Sequence, residues 1–159
     1  MTDKELDAKR DELIQGLQED LAREYQAIIQ YVIYSQVLDG PQYMDIAGEL
    51  EVHAHEELDH AIALAKQLDY FGVYPTEKPN KVETPEDAEG MLWADLRAED
   101  KTVAEYRKRI RQAQEIGEFA LSETLQEITK QEQDHQIELA AALGVVADPR
   151  SRKETGPKS

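Results

Sequence analysis

Apolar residues recur at steps of three and four in four long stretches of this chain. Leu13, Leu17, Leu21, Ile28, Tyr31 and Ser35 mark one face of a first helix over about residues 3–38. Ala47, Leu50, Ala54, Ala61, Leu64 and Leu68 mark a second over about 42–70. Leu92, Leu96, Val103, Tyr106, Ile110 and Ala113 mark a third over about 84–116. Leu121, Leu125, Ile128, Leu139 and Ala142 mark a fourth over about 118–143. No stretch alternates as a half-buried strand does, and all six prolines fall between the periodic segments, where helix breakers belong.

The punctuation orders these helices. Asp39-Gly40-Pro41, Phe71-Gly72, Ile116-Gly117 and Gly144 close them in turn. Thr84-Pro85-Glu86-Asp87 predicts an N-cap at Thr84, with Pro85 in the first helical position and Asp87 completing a capping-box pattern. Residues 72–85 hold three prolines and no periodicity, enough chain to cross the length of a bundle. The third and fourth helices follow each other closely and must be antiparallel neighbours. The expected fold is all-α, a four-helix bundle over residues 1–144 with a long crossover between the second and third helices. Residues 145–159 are polar, with two prolines and four basic residues against two acids, and read as a mostly disordered, solvated tail.

Polar residues interrupt the apolar stripes at matched places. Glu24 lies between Leu21 and Ile28, Glu57 between Ala54 and Ala61, Glu99 between Leu96 and Val103, and Glu132 between Ile128 and Leu139. Glu57-Leu58-Asp59-His60 and Glu132-Gln133-Asp134-His135 both read E-x-D-H, and each stands thirty-three residues after Glu24 or Glu99. Residues three apart share a helix face, so Glu57/His60 and Glu132/His135 can each reach one centre. One Glu-x-x-His alone is common in a Glu-rich chain and is usually solvated. Two copies, equal spacing and placement inside apolar stripes together point to a single dinuclear metal site. No Lys or Arg falls on these stripes, whereas two divalent cations would neutralise four carboxylates. Oxygen donors with one imidazole per metal suit iron or manganese better than zinc.

Composition narrows the function further. The formal charge is −16, with 34 acidic residues against 18 basic ones, which argues against DNA as a partner and favours cations. There is no cysteine, so disulfides and thiolate chemistry are excluded. The N-terminal residues have no apolar run, and no stretch is long enough for a membrane span, so the expected location is the cytoplasm.

Over roughly residues 10–143 the chain resembles the ferritin-like superfamily, and bacterioferritins most. Glu24 with Tyr31, the motifs ELDH and EQDH, and the run PEDAEGMLWADLRAED carry the resemblance. It implies that Glu57 and Glu132 bridge two iron ions, that Glu24 and Glu99 are terminal ligands, and that His60 and His135 bind one ion each. It implies a ferroxidase, oxidising ferrous iron with dioxygen or hydrogen peroxide for storage or detoxification. Tyr31 would be an electron donor, or a core tyrosine with a bonded hydroxyl. Leu58 stands where bacterioferritins place a haem-ligating methionine, so no haem is expected. No fifth helix is expected after Gly144. A Dps-like twelve-subunit shell is therefore favoured, with a dimer or a twenty-four-subunit cage as alternatives. Two other functions remain open: a small non-storing di-metal oxidase or peroxidase using iron or manganese, and a helical interaction module without metal.

Other side chains carry weaker expectations. His53 is expected at the boundary of the ligand face, with a group that supports the ligands or an entry-site ligand as its other readings, and His55, Asp59 and Asp134 are expected outside it. Asp95, four residues before Glu99, is expected to orient a ligand histidine. Trp93 lies off its helix's stripe and is expected at a subunit contact or partly exposed.

Overall fold

The computed structural model describes residues 1–153 and 156. Four helices carry it: α1 (Asp3–Val37), α2 (Met44–Tyr70), α3 (Ala88–Glu115) and α4 (Phe119–Leu143), with a 3-10 turn at Pro41–Tyr43. Among the described residues there is no strand, and no helix is long and apolar enough to cross a membrane.

Helix ends have local chemical causes. At the start of α1 the Thr2 hydroxyl accepts from the Glu5 amide, and the Glu5 carboxylate accepts from the Thr2 amide at 2.7 Å. The third helix starts later than the Thr84-Pro85 signal suggests. Asp87 is its N-cap, and its carboxylate accepts the Gly90 amide at 2.8 Å, which leaves Pro85 ahead of the helix. Gly144 ends α4 with a left-handed backbone (φ 70°) and returns its amide to the Ala140 carbonyl.

The crossover decides the topology. The Gln18 side chain accepts from the Thr76 amide at 2.8 Å and donates to the Tyr74 carbonyl at 2.9 Å. The Asn80 amide donates to the Ala22 carbonyl, the Glu83 amide to the Gln30 side chain, and the Tyr34 hydroxyl to the Glu83 carbonyl. The segment thus climbs along α1 from Gln18 to Tyr34 and releases α3 beside the far end of α1. From there α3 runs back antiparallel to α1: Asp95 meets Gln30, and Arg109 meets Asp20. Up-down-up-down order is broken at the crossover, as the sequence predicts, and α2 and α3 are parallel.

The core divides into two apolar clusters. One gathers Tyr34, Leu50, Leu92, Trp93, Leu96 and Leu139, the other Leu17, Leu21, Leu64, Leu68, Leu121 and Leu125. Between them lies a layer of buried polar residues. Full burial of one leucine contributes roughly 1.5–3 kcal/mol. An unpaired buried ion costs several kcal/mol after relaxation. A layer holding four glutamates therefore needs a neutralising partner as well as its apolar flanks.

Three further expectations are corrected by the structure. Ala142 is exposed, and Ala140 takes the buried position at the end of α4, where the helical repeat has drifted from the sequence stripe. Trp93 is buried in the first cluster. The third concerns the tail, which does not lack fixed structure over residues 145–153. Val145 and Ala147 pack on the first cluster, and the Arg152 guanidinium bonds to Asp100, to the Ala147 carbonyl at 2.6 Å and to the Val146 carbonyl at 3.0 Å. Gly156 lies so close to Trp93 that a Cβ there would come within 2.3 Å of the indole, so the tail helps to cover that ring. Residues 154, 155 and 157–159 of that expectation lie outside the described residues.

Candidate metal centre

The polar layer is built from all four helices. Glu24 comes from α1, Glu57 and His60 from α2, Glu99 from α3, and Glu132 and His135 from α4. All six are buried. The equal spacing from Glu24 to Glu57 and from Glu99 to Glu132 brings each antiparallel pair back to the same level. The sequence-predicted residues therefore meet.

They meet as two overlapping groups. In one, Glu24, Glu57, His60 and Glu132 offer ligand atoms all within 4.8 Å of one another; in the other, Glu57, Glu99, Glu132 and His135 do the same. Glu57 and Glu132 belong to both. His60 Nδ1 stands 2.8 Å from Glu132 Oε1 and 3.2 Å from Glu57 Oε2. His135 Nδ1 stands 2.8 Å from Glu57 Oε1 and 3.4 Å from both Glu99 Oε1 and Glu132 Oε2.

Buried atoms without a hydrogen bond test whether these residues fit a metal pair. Glu24 Oε2, Glu57 Oε1, Glu99 Oε2, Glu132 Oε2 and His135 Nδ1 are all buried without one. Orphaned buried polar atoms are costly and rare. Five of them converging from four helices match a donor set for cations, and mixed carboxylate and imidazole donors suit iron or manganese.

Electrostatics agree. Burial, then repulsion from Glu132, Glu24 and Glu99, lifts the Glu57 carboxyl well above the usual range. Burial and the Glu132 charge push Glu99 up to about 7. Burial opposes charge on His60 too, but hydrogen bonds with Glu132, Glu24 and Glu57 outweigh it and raise its pKa. His135 is raised in the same manner to about 11, by Glu132 and Glu99. Without cations the carboxylates thus hold protons on their neighbours. The buried cations do not serve these glutamates directly. Arg109 grips Asp20 with two bonds of 2.8 and 3.2 Å, Arg23 also pairs with Asp20, and Gly16 leaves the space that the Arg109 guanidinium fills.

The layer has an internal two-fold repeat with an offset of seventy-five residues. Glu24, Glu57 and His60 recur as Glu99, Glu132 and His135. The repeat also reaches residues that sequence reasoning missed. Tyr31 donates its hydroxyl to Glu99 Oε1 at 2.6 Å, and Tyr106, read from the sequence only as a stripe residue, donates to Glu24 Oε1. Glu56 and Gln131, each just before a motif glutamate, face the histidine of the other motif. Gln131 Oε1 lies 2.5 Å from His60 Nε2, and Glu56 Oε1 lies 3.6 Å from His135 Nε2. Gln131 thereby engages His60 Nε2 and leaves Nδ1 facing the carboxylates.

The remaining candidates divide. His55, Asp59 and Asp134 are exposed, as expected, and Leu58 lies on the outer face of α2. His53 is not a boundary residue. It is 1% exposed, stacks on His135 at 4.0 Å between ring centroids, and bonds to Glu138. Asp95 does not orient a histidine. The antiparallel register of α1 and α3 sets Gln30 opposite it, and Gln30 Nε2 donates to its Oδ1 at 3.0 Å.

Comparison with known proteins gives a consistent result. The model of the ferritin-like domain family matches residues 14–147. The chain is 27% identical over 128 residues to a bacterioferritin of Desulfovibrio desulfuricans, covering 80% of this chain and 72% of that one. It is 27% identical over 137 residues to a bacterial ferritin of Pseudomonas aeruginosa, covering 86% and 89%. Its structure is similar to that of a ferritin-like, diiron-carboxylate protein of Bacillus anthracis, with a TM-score of 0.82 and 32% identity over 90% of this chain and 99% of that one.

Proposed function

The chain belongs to the ferritin-like domain family, and on that premise we propose that it is a ferroxidase whose six buried ligands hold two iron ions. The observation that carries this reading is the pair of overlapping ligand groups sharing Glu57 and Glu132. Glu57 and Glu132, common to both groups, would contribute to both ions. Glu24 with His60, and Glu99 with His135, complete one side each. Two iron ions held there would pass from ferrous to ferric, giving their electrons to dioxygen or hydrogen peroxide.

The chain's own residues prepare the site. Tyr31 and Tyr106 fix the terminal carboxylates Glu99 and Glu24 from the opposite helix. Gln131 orients the His60 ring through Nε2. The apolar clusters on both sides exclude water, which strengthens every charge interaction between them. Tyr31 is also the proposed electron donor. A tyrosine that gives up an electron must lose its proton, and Glu99 Oε1 is the acceptor already bonded to it.

The proposed assembly is a homo-oligomer, with a twelve-subunit shell favoured. Self-association is supported by the outer face of α1 and α2, where Val32 and Leu58 stand exposed on a shallow groove reaching Ile28 and Ala54. A small non-storing oxidase using iron or manganese is the second reading. It rests on the donor set, whose mixed carboxylate and imidazole atoms suit either metal, and the mass of the intact particle separates the two. The chemistry is tested by mixing metal-free protein with ferrous iron and oxygen. Rapid oxygen uptake and a ferric absorption band are expected from the wild type and lost in Glu57→Ala and His135→Ala. Unchanged rates in those variants would defeat the assignment.

A further inference from the structure

A second group of ligating side chains lies outside the dinuclear layer. Glu49 and His53 stand four residues apart on α2 and so share a face, and Glu138 reaches them from α4. Each offers a ligand atom, and the three atoms lie within 4.8 Å of one another. His53 Nε2 stands 2.6 Å from Glu138 Oε2. Glu49 is exposed and Glu138 half-buried, so the cluster opens to solvent, while the imidazole at its base is buried.

We infer that Glu49, His53 and Glu138 form a third divalent-cation site, next to the dinuclear centre and separate from it. Acidic side chains crowd many surfaces without binding anything, so the imidazole is the deciding part. His53 is buried and points Nε2 into the cluster. Its Nδ1 is also buried and has no partner, so the only polar groups that hold the ring are those of the cluster itself. Two carboxylates beside a neutral imidazole leave two negative charges, which one dication cancels. Two oxygen donors and one nitrogen donor suit ferrous iron, manganese or zinc. The open side leaves room for water to complete the coordination, which is the arrangement of an exchangeable site.

The position gives the site its meaning. The His53 ring stacks on the His135 ring at 4.0 Å with 25° between their planes, and Tyr31 packs edge-on against His53 at 5.1 Å. Glu138 follows His135 by three residues, one turn along the same face of α4. A cation held by Glu49, His53 and Glu138 is thus one imidazole away from the ligands of the dinuclear centre, on the solvent side. It has no ligand in common with that centre. The two sites can therefore be emptied independently by substitution.

The test counts cobalt(II), a stable stand-in for the ferrous ion, bound per subunit when metal-free protein is brought to equilibrium with it by dialysis without oxygen. Glu49→Gln/Glu138→Gln keeps the shape of both side chains and changes groups that are exposed or half-buried, so the fold is retained; circular dichroism checks this. The wild type is expected to hold three cobalt ions per subunit and this variant two. Equal counts in the two proteins overturn the third site. Glu57→Gln/Glu132→Gln tests the dinuclear reading separately, because it is expected to keep one ion, which the added Glu49→Gln/Glu138→Gln changes then remove. A third site without a dinuclear centre would appear as one ion in the wild type and none in Glu49→Gln/Glu138→Gln.

Discussion

Tyr31 and Tyr106 are partners under the internal two-fold: each stands seven residues after the buried glutamate of its own helix, Glu24 or Glu99, and donates its hydroxyl to that of the other. Because α1 and α3 run antiparallel, one side-chain offset serves both bonds. The pair locks the two carboxylates that close the site at its ends.

Removing either hydroxyl leaves a carboxylate oxygen buried without a donor, a loss of about 1–3 kcal/mol. Tyr31→Phe and Tyr106→Phe are each expected to lower the urea midpoint of the metal-free protein by a comparable amount. Tyr31→Phe is also expected to abolish the tyrosyl radical signal seen by paramagnetic resonance after oxidation of bound iron. A radical that persists in Tyr31→Phe and disappears in Tyr106→Phe would move the electron-donor role to the other half of the repeat.

Metal and protons compete for the same atoms. In the metal-free protein His60 and Glu57 hold protons above their ordinary ranges, and His135 does so up to about 11. Glu99, pushed up to about 7, joins them below neutrality. These protons must leave when cations bind, so affinity rises with pH, and one more proton per subunit, that of Glu99, is displaced at pH 6 than at pH 8. Each displaced proton makes the affinity change by about tenfold per pH unit. Calorimetry in buffers of different ionisation heat is expected to show roughly two or more protons released per subunit. A pH-independent affinity would contradict the coupling.

The Arg109–Asp20 pair is a structural element of the same layer. Arg109→Ala removes the bidentate partner of a buried aspartate, whose burial already raises its pKa. Breaking such a pair costs about 3–5 kcal/mol. Arg109→Met with Asp20→Asn removes both charges and is expected to recover most of the loss, as read from chemical denaturation. Equal losses in the single and double variants would show that packing against Gly16, and not charge, is what Arg109 supplies.

Much of this site was legible because helical geometry turns spacing into position. The six clustered side chains were readable from polar interruptions of apolar stripes and from the repeated interval of thirty-three residues. What stayed hidden depends on the register between helices. Tyr106 could have been found by extending the repeat, since it relates to Glu99 as Tyr31 relates to Glu24. Gln131 and Glu56 could have been found in the same manner, each standing before a motif glutamate. The partner of Asp95 could not, because it is fixed by which residue of α1 lies opposite α3, and the crossover sets that. The burial of Trp93 was equally hidden, because the cover over it comes from the far end of the chain.

The central claim is that six side chains hold two iron ions between Glu57 and Glu132. Crystals loaded with ferrous iron and measured at the iron absorption edge test it most directly. Two anomalous peaks are predicted in the buried layer, one within about 2.0–2.2 Å of a Glu24 oxygen and His60 Nδ1, the other equally close to a Glu99 oxygen and His135 Nδ1, with Glu57 and Glu132 reaching both. A single peak, or none among these residues, would contradict it.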